Sequence, residues 1–232
     1  MKGVRMELVL SQRLKAVSEF VPQGSRLLDI GSDHAYLPLF LLQKGRIDFA
    51  AAGEAAHGPY QSALKNAADY GFTGKLTVRL ADGLAALDPS DRISVLTICG
   101  MGGRLIAAIL EAGKQKLDSI SRLILQPNNC EDTVRSWLTE NGFALKAEKL
   151  VRENKKFYEI LVAEPGHMVL SSKDLRFGPF LSQEQSAVFK SKWQAELGKL
   201  EVISSQLPDY HTDRPVLNQK IEAIKEVIDE SK

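Results

Sequence analysis

Five short stretches of this 232-residue chain carry the acids, amides and glycines that a binding crevice needs. In the first, Leu27-Leu28-Asp29-Ile30 runs into Gly31 and then Ser32-Asp33-His34. Glu54 closes a second apolar run, Asp82-Gly83 a third, and Gly100-Met101-Gly102-Gly103 a fourth. The fifth ends in Gln126-Pro127-Asn128-Asn129. A dinucleotide pyrophosphate wants the glycines of G-x-G-x-x-G so that backbone can approach it. Here only the first of those glycines is present, at Gly31, and Asp33 would meet the pyrophosphate's negative charge. A nicotinamide or flavin enzyme is therefore disfavoured. Acids at this place suit a cofactor that is cationic at that end, as S-adenosylmethionine is at its sulfonium and amino groups.

The elements that must position these residues follow from apolar patterning. Strands are predicted near 26–30, 49–53, 75–80, 93–99 and 122–125, with helical spacing before the first and after the first, second, fourth and fifth. Ser11 should cap a first helix within 10–21, and Gly58-Pro59 should open another. Strand 93–99 is nearly all apolar, as a central parallel strand should be. Two further strands, near 143–151 and 157–163, flank the polar turn 152–156. Alternating β and α elements predict a doubly wound parallel sheet with helices on both faces, its ligand crevice at the carboxyl ends of the strands. Glu54 would then accept hydrogen bonds from both ribose hydroxyls, Asp82 would face an adenine amino group, and Gly83 and Gly100 would leave room for close approach. Each signal alone is also that of an ordinary turn or a solvated acid; four consecutive strands with complementary ends make a methyltransferase the better reading. The expected cofactor set is Asp29, Gly31, Ser32, His34, Glu54, Ala55, Asp82, Gly83, Gly100 and Met101.

Composition sets the outer limits. Hydrophobic residues make up 44% and charged residues 25%, which is ordinary globular composition rather than disorder. The net charge of +1 means that any nucleic-acid contact must come from a local basic face. Cys99 and Cys130 have no metal-ligand spacing, so no metal site is expected, and two lone thiols suit a reducing cytoplasm. No apolar run is long enough to span a membrane. Composition changes near Pro165-Gly166, which predicts two domains, 1–165 and 166–232. In the second, Val188, Trp193, Leu197, Leu200 and Ile203 on one helix and Leu217, Ile221, Ile224 and Ile228 on another predict an antiparallel coiled coil. That stripe could also make a dimer, and the oligomeric state is not legible.

Together, LLDIGSDHAYLP (27–38), GEAAHGPYQSA (53–63), ADGL (81–84), CGMGG (99–103), QPNN (126–129) and FGPFL (177–181) resemble the bacterial tRNA (adenine-22-N1)-methyltransferases, the TrmK family, over essentially the whole chain. The resemblance implies a class I, Rossmann-like methyltransferase fold with a seven-stranded, mostly parallel sheet and a C-terminal helical coiled coil that helps engage tRNA. It also implies S-adenosylmethionine as cofactor and an adenine of tRNA as target. A methyltransferase for a small molecule or protein, and a non-catalytic RNA-binding module on the same fold, are the alternatives.

The residues fit methylation of a ring nitrogen. Exocyclic amine methylation commonly uses an Asn/Asp-Pro-Pro-aromatic run after the fourth strand, where this chain has Gly100-Met101-Gly102-Gly103. Adenine N1 already has an in-plane lone pair and needs orientation more than deprotonation. Its product is cationic until the amino group loses a proton, so a carboxylate helps. Asp33 is the candidate for that role and Asn128 the candidate positioner of the adenine edge. His34 is an alternative base, or a cap of the following helix, and Tyr36 lines the pocket or packs beneath the helix. For tRNA phosphates, Lys146, Lys149, Arg152, Lys155 and Lys156 outnumber Glu148 and Glu153, and Arg5, Arg13 and Lys15 form a second group. Arg5, Arg13, Lys155 and Lys156 are the expected RNA contacts.

Overall fold

Ser25–Ile30 (β1) and Val95–Met101 (β4) run side by side in the middle of a seven-stranded sheet. Leu27, Leu28, Val95, Leu96 and Ile98 on this pair are buried, which is why neither strand shows the alternation of a half-exposed one. A computed structural model describes residues 7–208 and 210–229. The remaining strands are Ile47–Glu54 (β2), Leu76–Leu80 (β3), Arg122–Pro127 (β5), Phe143–Glu153 (β6) and Lys156–Pro165 (β7). Their order is β3-β2-β1-β4-β5-β7-β6; β3 to β5 are parallel, and β7 is antiparallel to both β5 and β6. Strand order reverses between β1 and β4, and the crevice of a doubly wound sheet opens there.

The helices of this part are Gln12–Glu19 (α1), Tyr36–Gln43 (α2), His57–Asp69 (α3), Gly103–Ala112 (α4) and Glu131–Glu140 (α5). Ser11 caps α1 as expected, its Oγ accepting the Leu14 N–H at 3.2 Å. His34 does not cap α2: the cap position is Ala35, in the left-handed region, with no side-chain hydrogen bond to the helix.

The β6–β7 hairpin is longer than its apolar pattern predicts. The turn itself is only Asn154 and Lys155, between the paired Glu153 and Lys156, with φ of 49° and 65°. Positive φ at both central residues is the tight turn whose twist matches that of the strands, so pairing continues through the polar Arg152, Glu153 and Lys156. Glu148, which sequence counts with the surface charges, is buried. It accepts from Arg135 Nε at 2.7 Å, and Arg135 Nη2 pairs with Glu159. Burial alone would lower the Arg135 pKa; its two carboxylate partners outweigh that and raise it. The exposed face of the hairpin is therefore more basic than its composition.

The chain divides into two compact units, Met1–Arg176 and Phe177–Lys232, with Ser172–Phe177 (α6) at the division. In the second unit, Pro179–Glu184 (α7) precedes two long helices, Ala187–Gln206 (α8) and Arg214–Asp229 (α9). Phe177, Phe189 and Trp193 form its aromatic centre, with ring centroids at 4.6 and 6.2 Å from Trp193. On α9 the buried stripe is Leu217, Ile221, Ile224 and Val227. The expected stripe on α8 is only partly buried: Trp193 is enclosed, whereas Ile203 near the far end is 47% exposed. No helix among the described residues is long and apolar enough to cross a membrane.

Candidate active site

The polypeptide leaves β1 through an unusual backbone. Gly31, Asp33, His34 and Ala35 have φ of 62°, 44°, 69° and 59°. Left-handed backbone costs about 1–2 kcal/mol at a non-glycine residue, and here three follow one another, so the loop needs anchors. Ala35 is buried, and Asn66 Nδ2 of α3 donates to the His34 carbonyl at 2.9 Å. The result turns two polar side chains outward, Asp33 84% and His34 42% exposed, with His34 Nε2 at 3.4 Å from Asp33 Oδ1. The Tyr36 ring stands 5.4 Å from that of His34 and is partly exposed, which favours pocket lining over burial beneath the helix.

Beneath this loop lies a buried carboxylate. Asp29 Oδ2 accepts from Ser32 Oγ at 2.5 Å and Oδ1 from Thr97 Oγ1 at 2.6 Å. Burial pushes its pKa up to about 6, against the opposing pull of the two hydroxyls and of the Arg13 charge. Glu54, at the carboxyl end of β2, is also buried, and its Oε1 has no hydrogen-bond partner among the described residues. Burial raises its pKa, with the Asp33 N–H opposing and the charges of Asp29 and Asp33 adding to the rise. A buried carboxylate oxygen without a donor costs free energy unless a ligand supplies one. The residues therefore fit a ligand with hydroxyl donors at Glu54 and positive charge near Asp29, which is the donor set of S-adenosylmethionine.

The other strand ends close the crevice. Asp82 and Gly83 follow β3, and beside them opens a groove of about 400 Å³, walled by Leu84, Leu105, Ile109 and Lys116. Gly83 has φ of 51° and a Cβ there would stand 3.1 Å from Ile109, so the turn passes close to α4. Ala55 is exposed after Glu54. Met101 lies over the first loop, its Cε 2.1 Å from where a Cβ on Gly31 would stand. Gly100, with φ of 77°, is held by a ring of amides: its N–H donates to Gln126 Oε1 at 3.0 Å, and its carbonyl accepts from Asn128 Nδ2 at 2.7 Å. The ten expected cofactor residues and the candidates Asp33 and Asn128 thus come from adjacent strand ends on one side of the sheet.

The expected RNA contacts differ in exposure. Lys155 and Lys156 are exposed at the β6–β7 turn, on the side of the sheet where β5 ends, because β7 runs antiparallel to β5. Arg13 is half-buried on α1, and Arg5 lies outside the described residues. Two further residues shape the site: Thr97, to which the sequence pattern gives no role, and Gln126, which it shows only as part of the run that closes β5. Thr97 is the lone hydroxyl in the apolar run of β4, and Gln126 is a fully buried amide at the end of β5. A polar residue inside an apolar strand was the signal in both cases.

Comparison with known proteins fits this geometry. The family model described as TrmK: tRNA (adenine(22)-N(1))-methyltransferase matches residues 27–230. A Bacillus subtilis (strain 168) relative, a tRNA (adenine(22)-N(1))-methyltransferase, is 41% identical over 96% of this chain and 98% of its own length. The solved structure of Streptococcus pneumoniae Sp1610 in complex with S-adenosyl-L-methionine is 55% identical, with a TM-score of 0.90 over 95% of this chain and 100% of that one. The TrmK of M. capricolum in complex with S-adenosyl-homocysteine is 27% identical, with a TM-score of 0.85 over 96% of this chain and 99% of that one. A family model that covers most of the chain and a relative 41% identical over nearly the whole of both chains show that this chain belongs to the TrmK family of tRNA (adenine(22)-N(1))-methyltransferases.

Proposed function

We propose that this chain transfers the methyl group of S-adenosylmethionine to N1 of adenine 22 in tRNA. The observation that carries the reading is the Glu54 carboxylate, buried with an oxygen awaiting a donor, beside the buried Asp29 at the switch point of the sheet. Glu54 would hold the ribose hydroxyls, Asp29 with Ser32 the methionine end, and Asp82 with Gly83 the adenine of the cofactor. The cofactor supplies an electrophilic methyl group on a cationic sulfur. The residues of the chain supply position and charge. Asn128 keeps one N–H and one lone pair after its bonds to Gly100 and Gln126, enough to orient an adenine edge. Asp33, exposed at the mouth, stabilises the cationic methylated base and takes the proton that its amino group loses. An adenine in folded tRNA must leave its stack to reach this crevice, and the partly exposed Tyr36 ring offers it an aromatic surface there.

With this reading go a methyltransferase domain over 1–165, ending with the last strand of the sheet, and a helical domain over 166–232 that helps engage tRNA, although the compact units themselves part between Arg176 and Phe177. The reading places the chain in the cytoplasm with its substrate. Incubation with labelled S-adenosylmethionine and unmodified tRNA, then nucleoside analysis, should yield 1-methyladenosine. A transcript with guanosine at position 22 should take up no label. Folded, cofactor-binding protein that forms no 1-methyladenosine would reject the reading.

Lys155 and Lys156 are proposed phosphate contacts. The double charge reversal Lys155→Glu/Lys156→Glu should weaken tRNA binding and flatten its logarithmic salt dependence by about one to two units, while affinity for S-adenosylmethionine stays as it was. Unchanged tRNA affinity in a filter-binding titration would remove both lysines from the interface.

A further inference from the structure

Helix α1 carries a cation into the wall of the crevice that the steps above do not use. Arg13 Nη1 donates to Gln126 Oε1 at 2.6 Å, and its guanidinium lies 5.6 Å from the Tyr158 ring. Its Nη1 is 3.5 Å from where a Cβ on Gly100 would stand, so it lies against the left-handed turn itself. The helix around it is tied down. The Gln12 N–H donates to Glu153 Oε1 at 2.7 Å, Lys149 pairs with Glu19 at 2.5 Å, and Arg122 Nη1 donates to the Phe20 carbonyl at 2.9 Å. Arg13 is thus held toward the sheet.

Its partner is an amide whose orientation matters. Gln126 is fully buried, and Oε1 accepts from both Arg13 and the Gly100 N–H. Nε2 donates to the Pro127 carbonyl at 2.7 Å and to Asn128 Oδ1 at 3.3 Å. Turned by 180°, the amide would aim its NH₂ at two donors and its oxygen at two acceptors. The charged donor Arg13 makes the shortest and strongest of these bonds and so holds the amide one way round. That polarity passes to Asn128, whose oxygen must face Gln126 while Nδ2 donates to the Gly100 carbonyl.

We propose that Arg13 and Gln126 are positioning residues for methyl transfer: their hydrogen-bond relay fixes which way the Asn128 amide and the Gly100 turn face the incoming base. The inference rests on the methyltransferase reading and gives Arg13 a task other than a phosphate contact.

The test compares Arg13→Ala, Arg13→Lys and Gln126→Glu with the unaltered protein. The readouts are the single-turnover methylation rate at saturating tRNA and S-adenosylmethionine, calorimetric affinity for S-adenosylmethionine, and tRNA affinity at two salt concentrations. A displacement of about 1 Å at a reacting centre costs about 100-fold in rate. Arg13→Ala should therefore slow single turnover about 10- to 100-fold, with both affinities within about twofold, and Arg13→Lys should restore much of the loss. Gln126→Glu keeps the volume and both accepted bonds but cannot donate to Asn128, so it should be as slow as Arg13→Ala. A normal single-turnover rate in Gln126→Glu would overturn the inference. So would an Arg13→Ala protein that reacts normally at saturation yet binds tRNA weakly with a reduced salt slope, since that is a phosphate contact. If the unaltered protein forms no 1-methyladenosine, the methyltransferase reading has failed instead.

Discussion

Gly103→Ala should slow methyl transfer about 100-fold or more and lower unfolding stability by about 3 kcal/mol. Gly103 opens α4, and a Cβ there would stand 2.2 Å from the Cys130 carbonyl oxygen and 2.6 Å from that of Asn129. Both obstacles are backbone, and both belong to the loop that carries Asn128. That loop is already committed: the Gly103 N–H donates to the Asn129 carbonyl at 2.9 Å, and Cys130 has φ of 51°. A methyl group can enter only if the loop retreats by about 1 Å, which breaks this bond and moves Asn128, the amide proposed to orient the base. Gly31→Ala makes an instructive contrast. Its Cβ would meet Met101 Cε at 2.1 Å, a closer contact, but with the end of a flexible side chain that can turn away. What remains there is the left-handed φ of 62°, worth about 1 kcal/mol. Denaturant unfolding and single-turnover rates on the two variants separate these cases. A Gly103→Ala protein within twofold of the normal rate would show that the loop has slack which the packing denies.

The same region shows what sequence can and cannot reveal about such a site. Residue types at the strand ends were legible because each apolar run stops at a polar or glycine residue, and a doubly wound sheet puts all those stops on one side. Asp29, Glu54, Asp82 and Gly100 are found together for that reason. Arg13 was legible only as a charge, and charge counting assigns cations to solvent. Its real neighbours depend on α1 docking along the β6–β7 hairpin, which joins residues 141 positions apart in Gln12 and Glu153. Glu148 makes the converse case: its place in a run of lysines suggests surface, yet the register of β6 turns it inward to Arg135. Ile203 on α8 fits a heptad stripe but stands exposed, because periodicity marks a face and does not say how far a partner covers it. Strand and helix existence came from local pattern. Charge partners came from tertiary register.

Asp29→Asn is expected to weaken binding of S-adenosylmethionine about 10- to 100-fold and to remove its pH dependence. Losing the ionised partner of a cationic group costs about 1.5–3 kcal/mol, which is that range in affinity. The pH argument follows from the buried carboxylate. With its pKa raised to about 6, Asp29 is largely protonated in the free protein at pH 5 and largely ionised at pH 7. A cation bound beside it favours the carboxylate, so affinity should rise with pH through about 6 and level off above it. Asparagine cannot ionise, and its affinity should stay flat across that window. Stability should move the opposite way. Because the folded-state pKa lies above the unfolded value of 3.8, the folded protein holds this proton more tightly. The contribution of Asp29 to stability is therefore greatest below about pH 4, falls as pH rises through 6, and is constant beyond. Relative to the unaltered protein, Asp29→Asn should melt higher at pH 7.5, with the difference closing near pH 4, while it binds cofactor worse. Calorimetric titrations at pH 5, 6, 7 and 8, paired with melting curves without cofactor, read both trends. Parallel affinity profiles for the two proteins would move the titrating group elsewhere and leave Glu54, the other buried acid of the crevice, to account for it.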